Sequence, residues 1–232
     1  MVIFPNGIKA DAVIFDFDGI MVDTEPLHYQ AFQTVLEPLE FGFSWQEYRE
    51  KYMGYDDRDA FTEAFRAKGK AVNSEELACL IKNKALAFLN VIKNGITPYP
   101  GVVDLVTQLH HKHIPIAISS GALQSDIKPI LKILNIENCF KIIVTADDVS
   151  KSKPDPESYC LAFDKIKSDY RKDSIAVTNT IAIEDTPAGI ASAKAACLQV
   201  VAVTNSYPCE HLTEADFIIQ SLEELLGFNY QV

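Results

Sequence analysis

No apolar stretch of this 232-residue chain approaches the roughly 20 residues that span a bilayer. The chain is expected to have no membrane partner. Residues Met1-Val2-Ile3-Phe4-Pro5-Asn6 carry neither the charged n-region nor the apolar h-region of a signal peptide, so no export is expected. Basic runs are missing too. The lysines are scattered, the formal net charge is -11 and the pI is about 4.9, which argues against nucleic acid as a partner. The five cysteines, Cys79, Cys139, Cys160, Cys197 and Cys209, are odd in number and widely spaced, with no CxxC pair. They read as reduced thiols of a cytoplasmic protein. Internal repeats, low-complexity segments and coiled-coil heptads are also absent, and the expected state is a monomer or weak dimer. What is present is ordinary for a soluble globular protein: 48% hydrophobic and 23% charged residues, with length enough for one or two domains.

The most informative stretch is Asp11-Ala12-Val13-Ile14-Phe15-Asp16-Phe17-Asp18-Gly19. Ala12 to Phe15 read as a strand buried on both faces, as in a parallel sheet. Asp16 and Asp18 fall at or just past its carboxyl end. Side chains two apart on an extended segment point the same way, so both carboxylates face one small space. Gly19 lets the backbone turn sharply away. Like charges that close are costly without a cation, which points to a divalent metal and a reacting group beside them. A calcium loop of the EF-hand type is excluded because its sixth and twelfth positions would be Met21 and Leu27.

Beyond Gly19 the chain reads as helices only, up to Lys93. Thr24 with Pro26 starts a helix to about Leu39, and Ser44 with Glu47 forms a capping box for a short helix to about Tyr52. Helical spacing follows over Asp56 to Lys68, and Asn73 or Ser74 caps a long helix to about Lys93. Thr97-Pro98-Tyr99-Pro100-Gly101 is a stiff connector. From Val102 onward helices alternate with strands, at Ile114 to Ile118, Lys141 to Thr145, Thr180 to Ile183, Gln199 to Val203 and Phe217 to Ile219. The fold class is therefore α/β, a Rossmann-like parallel sheet over residues 1-20 and 98-232. Residues 21-97 form an inserted all-helical domain, placed over the sheet edge.

In open parallel sheets, ligands bind outside the carboxyl ends of the strands. There this sequence collects Asp16 and Asp18, then Ser119 and Ser120, then Glu184 and Asp185. Between the last two pairs lies Lys151-Ser152-Lys153-Pro154-Asp155-Pro156, a proline-stiffened loop presenting a lysine. Acids for a hard cation, with a hydroxyl and a lysine for an anion, suit a phosphoryl group held against Mg2+. DFDG, a strand ending in Ser119, KPDP and IEDTPAGI resemble, in order, the four motifs of the haloacid dehalogenase (HAD) superfamily, over nearly the whole chain. The helical block is similar to the small cap of the subfamily that includes phosphoglycolate phosphatase and beta-phosphoglucomutase. Carried over by position, the resemblance implies Asp16 as nucleophile, Asp18 as acid and base, and Ser119, with Ser120, and Lys153 as phosphate ligands. It implies Asp16, Asp185, Glu184 and the backbone carbonyl of Asp18 as ligands of Mg2+.

The substrate implied is a small-molecule phosphate ester. Carbon-halogen cleavage is set aside because the hydrolytic dehalogenases of the superfamily lack the second carboxylate, here Asp18. Within the cap the resemblance offers His28, twelve residues after Asp16, near the leaving group, and Tyr55, Arg58 and Lys82 for the substrate-facing surface. The beta-phosphoglucomutase pattern expects an arginine shortly after the cap glycine, Gly54. Asp57 stands at that position and Arg58 one residue later, a rotation of about 100 degrees on a helix. The first expectation is thus a Mg2+-dependent phosphatase working through an aspartyl-phosphate. A phosphosugar mutase is the alternative, and a non-catalytic binding protein the third.

Overall fold

The computed structural model describes residues 1-5, 7-53, 55-170 and 175-230; Gly54, on which the arginine alignment turned, lies outside them. The described residues divide into two compact units, Met1–Asp23 with Thr97–Val232, and Thr24–Ile96.

The first unit is built on strand β3, Ala12–Phe15, whose four residues are all buried. A strand so uniformly apolar needs cover on both faces, which the centre of a parallel sheet provides. On one side it pairs with β4, Ile116–Ser119, and through it with β5, Ile142–Val144. On the other side come β6, Thr180–Glu184, then β7, Gln199–Val203, and β8, Phe217–Ile219. All five ladders are parallel and the strand order is β5-β4-β3-β6-β7-β8. Winding therefore reverses between β3 and β6. That switch point is where such sheets open a crevice for ligands. Strand β4 begins at Ile116, not Ile114, because Pro115 has no N–H for the ladder; its carbonyl still accepts from Val13 at 3.0 Å.

The helices of this unit present apolar faces to the sheet. Helix α5, Val102–His111, buries Val102, Leu105, Val106 and Leu109 at helical spacing. Helices α6, Gln124–Ile133, α7, Glu157–Tyr170, and α8, Pro187–Ala195, follow the next strands. The terminal helix expected near Leu222 to Leu226 is a single 3-10 turn, Leu222–Leu225. A second sheet escaped the sequence reading. It joins β1, Val2–Ile3, to β2, Lys9–Ala10, and to β9, Asn229–Tyr230, each too short to show a period of two. The outgoing and returning connections run side by side, with Val22 bridging Pro98 and Tyr99 N–H donating to the Met21 carbonyl at 3.0 Å.

The second unit holds α1, Glu25–Leu36, α2, Trp45–Glu47, α3, Asp57–Ala67, and α4, Ser74–Lys93. Asn73 and Glu76 form a full capping box on α4, and Asp56 caps α3. The helix expected from Ser44 to Tyr52 widens after Glu47 into a π turn, Tyr48–Tyr52. Closing Met53 N–H onto the Tyr48 carbonyl, at 2.9 Å, adds a residue to the turn and lets Tyr48 and Tyr52 both stack on Phe43. Phe32, Leu36, Phe61, Ala64, Leu77 and Leu80 complete this core. Among the described residues no helix is long and apolar enough to cross a membrane.

Candidate active site

The first polar residue beyond β3 is Asp16, whose N–H still donates to Ile183 of β6 at 2.9 Å, so its side chain stands at the switch point. Only 7% of it is exposed. The Lys153 ammonium reaches it from the opposite loop, 2.7 Å from Oδ1. That loop is tied down by Glu157 in the first turn of α7, which accepts from Ser150 N–H, Ser150 Oγ and Lys151 N–H at 2.8 to 3.0 Å. Lys153 also donates to the Ser119 carbonyl at 3.1 Å and to Glu184 Oε1 at 2.6 Å. Burial alone would push Lys153 down, but Asp16 and Glu184 together hold its pKa above the ordinary lysine value. It is a fixed cation.

Glu184 and Asp185, adjacent at the end of β6, are placed in different circumstances. Both oxygens of Glu184 are occupied: Oε1 accepts from Lys153 and from the Tyr159 hydroxyl at 2.9 Å, and Oε2 from Asp185 N–H, Thr186 N–H and Thr186 Oγ1 at 3.0 to 3.2 Å. Gly189 leaves it space, since a Cβ there would lie 1.8 Å from Oε1. Asp185 is as deeply buried, yet neither oxygen meets a donor in full hydrogen-bond geometry; the nearby Ser206 hydroxyl offsets its burial only in part. Burial, with the charges of Glu184 and Asp18, pushes Asp185 up to about 7. Asp16 is likewise held well above the usual carboxylate range, by burial first and by Glu184, Asp185 and Asp18 against the pull of Lys153.

Ligand atoms of Asp16, Glu184 and Asp185 all lie within 4.8 Å of one another. Buried carboxylates crowded like this, with neither Asp185 oxygen in full hydrogen-bond geometry, fit a small hard cation. A divalent ion would replace the missing donors and restore ionisation of both aspartates. The contacts favour Asp16 and Asp185 as its donors, with Glu184 within reach but already engaged.

Ser119 and Ser120 at the end of β4 are both buried but differ in the same way. The Ser119 hydroxyl has no hydrogen-bond partner, whereas Ser120 Oγ accepts from Ala122 N–H at 3.0 Å and serves the turn. Beside them a cavity of about 240 Å³ is lined by Ser120, Gly121, Ser152 and Lys153, among others. Asp18 sits in the turn that follows Asp16, bridged to Val22, close enough that its charge acts on both Asp16 and Asp185. Gly19 continues that turn at φ +75°. Any side chain there is excluded, because a Cβ would fall 1.9 Å from Asp185 Oδ2.

The helical unit has a polar cluster of its own. Lys84, with 4% of its side chain exposed, donates to Asp57 Oδ1 at 2.7 Å and meets His28 Nδ1 at 2.8 Å. Its ammonium lies 4.8 Å from the Phe32 ring centre, and His28 stacks on Phe88 at 4.5 Å. Burial first, then Lys84, pushes His28 down to about 3. Its ring is neutral, with Nδ1 accepting. Lys82, the sequence candidate, is exposed on the other face of α4, and Arg58 and Tyr55 are exposed as well. Lys84 was the lysine to notice, because it falls four residues from both Leu80 and Phe88 on the buried face. Tyr159 was missed too, being indistinguishable in sequence from a core aromatic of α7.

Residues 13-203 match the model of the haloacid dehalogenase-like hydrolases. The chain is 27% identical over 192 residues to the phosphorylated carbohydrates phosphatase of Thermotoga maritima, covering 82% of each. It is 27% identical over 220 residues to the beta-phosphoglucomutase of Bacillus subtilis, covering 92% of this chain and 91% of that protein. The crystal structure of CbbY from Rhodobacter sphaeroides in complex with phosphate superposes with a TM-score of 0.78 at 23% identity, over 94% of this chain and 96% of that one.

Proposed function

Since the chain belongs to the haloacid dehalogenase-like hydrolases, we propose that it is a phosphatase that hydrolyses a small phosphorylated metabolite through an aspartyl-phosphate on Asp16. Relatives named as a phosphatase of phosphorylated carbohydrates and as a phosphoglucomutase support an enzyme of phosphate esters, sugar phosphates foremost. The observation that carries the reading is the buried Asp185 carboxylate, neither oxygen in full hydrogen-bond geometry, beside a Lys153-bound Asp16: a place for a cation next to a place for an anion.

Asp16 and Asp185 would hold Mg2+, with Glu184 and the Asp18 carbonyl at hand. A divalent ion held there would supply positive charge that offsets the repulsion between Asp16 and an anionic phosphate. Asp16 attacks phosphorus, and the bond from phosphorus to the substrate oxygen breaks as Asp18 delivers its proton to that oxygen. Lys153 and the Ser119 hydroxyl stabilise the charge spread over the phosphoryl oxygens. Asp18 then takes a proton from water, the water oxygen bonds to phosphorus, and the bond to Asp16 breaks to release phosphate. Glu184 keeps Lys153 aimed and charged. Tyr159 keeps Glu184 in place.

A phosphosugar mutase is the second reading, supported by the neutral His28 of the helical unit. Against it stands Asp57, which occupies the position of the expected arginine and is bound to Lys84. A screen of phosphorylated metabolites and a generic aryl phosphate decides. Mg2+-dependent phosphate release supports the phosphatase, and no turnover of any monoester refutes it. Conversion of a sugar 1-phosphate to its 6-phosphate without phosphate release would decide for the mutase.

A further inference from the structure

One side chain from late in the sequence reaches the turn that carries Asp18. Asn205 lies two residues past β7, and its Nδ2 donates to the Gly19 carbonyl at 2.6 Å. Asn205 is itself well anchored, for the preceding Thr204 N–H donates to Ile219 of β8 at 3.1 Å. Gly19 N–H is held as well, donating to the Val22 carbonyl at 3.0 Å. Both peptide planes flanking Gly19 are thus fixed.

The need for two restraints lies in Gly19 itself. The turn excludes a Cβ because Asp185 and Ser206 crowd the position, so glycine is required there. Glycine has the widest choice of backbone conformations, and without external contacts it would not hold one. The residue before it, Asp18, borders the plane that Val22 holds, and the plane that Asn205 holds is joined to it through the Gly19 Cα, so release of the Gly19 carbonyl lets the first plane turn as well. The residues after it, Met21 and Val22, pair with Tyr99 and Pro98 of the returning connection. A loosened Gly19 would therefore free Asp18 on one side and both connections on the other.

We propose that Asn205 is a positioning residue: by holding the Gly19 carbonyl from the end of β7, it fixes the aim of the Asp18 carboxylate at the reacting group. This rests on the reading of Asp18 as proton donor and acceptor. Misplacing a catalytic group by about 1 Å costs on the order of 100-fold in rate. The interaction acts on the chemical step, so kcat and kcat/KM fall together.

The test uses the full chain with Asn205→Ala, the isosteric Asn205→Asp, which cannot donate, and Asn205→Gln, which can. Hydrogen exchange followed by mass spectrometry reads the backbone over residues 17-22. Turnover of an aryl phosphate with Mg2+ reads the chemistry, and calorimetry reads metal binding. Exchange over 17-22 should rise selectively in the Ala and Asp variants, and kcat should fall about 10- to 100-fold. KM and metal affinity should stay within about twofold and Asn205→Gln should recover part of the rate, as expected when only the transition state is affected. Unchanged exchange, unchanged kcat, or a loss of kcat that follows weaker metal binding overturns the proposal. If wild type turns over no phosphate ester, the functional reading fails instead, and selective exchange over 17-22 still decides whether Asn205 holds the turn.

Discussion

Lys153 Nζ lies 2.6 Å from Glu184 Oε1, an ion pair in which the carboxylate side chain is fully enclosed. Removing one member of such a pair leaves the other charge buried and unpaired, at about 3-5 kcal/mol, while replacing both by apolar groups is far milder. Lys153 would keep Asp16 as a partner, so Glu184→Ala should cost less, about 1-3 kcal/mol, chiefly because the Tyr159 hydroxyl and the Thr186 N–H lose their acceptor. With Lys153→Met added, the double variant should lose less than the sum of the two single losses, because the shared ion pair is counted once, although Asp16 then lacks its cation. Urea unfolding of the two single variants and the double variant measures this; strictly additive losses would contradict it.

The pair Lys84 and Asp57 predicts an asymmetry. Lys84 has 4% of its side chain exposed and Asp57 has 27%. Asp57→Ala strands a buried ammonium that keeps, among the described residues, His28 and the faces of Phe32 and Phe88, and should cost about 2-4 kcal/mol. Lys84→Met keeps the packing and leaves a carboxylate with access to water, and should cost about 1 kcal/mol or less. Equal losses in equilibrium unfolding would contradict the burial of the lysine.

His28 gives the helical unit a pH dependence. Its pKa in the folded chain is about 3, below the ordinary 6.5, so the folded state refuses a proton that the unfolded state takes. The groups facing it are the Lys84 ammonium, with Asp57 behind it, and the Phe88 ring. The stability tied to neutral His28 is fully present above pH 6.5 and is lost as pH falls from 6.5 towards 3. The slope is at most about 1.4 kcal/mol per pH unit. His28→Leu should flatten unfolding free energy between pH 6.5 and 5. Parallel curves for wild type and variant would refute the assignment.

The fold was legible wherever one period dominated. Ala12 to Phe15, Gln199 to Val203 and the long helix from Ser74 to Lys93 stand where an apolar run or a capped helical repeat puts them. The two-residue strands β1, β2 and β9 carry no period, and only tertiary pairing defines them. The site was legible for a related reason. Acids, serines and a lysine at strand ends cannot belong to the core, so Asp16, Ser119, Lys153, Glu184 and Asp185 stood out. What sequence could not divide was the labour among them, since Glu184 and Asp185 are adjacent and chemically alike. Hydrogen bonds separate them, saturating the first and leaving the second without a full partner. Lys84 and Asn205 were hidden because each looks like an ordinary polar residue until its distant partner is known.

Asp16 is expected to accept a phosphoryl group only when a divalent cation occupies the acidic cluster. Beryllofluoride, which mimics a phosphoryl group on a carboxylate, tests it without a substrate. Fluorine NMR should show bound beryllofluoride for the wild-type chain with Mg2+, and none in EDTA or for Asp16→Asn. Binding in EDTA, or binding that survives Asp16→Asn, would rule out metal-dependent phosphoryl transfer to Asp16.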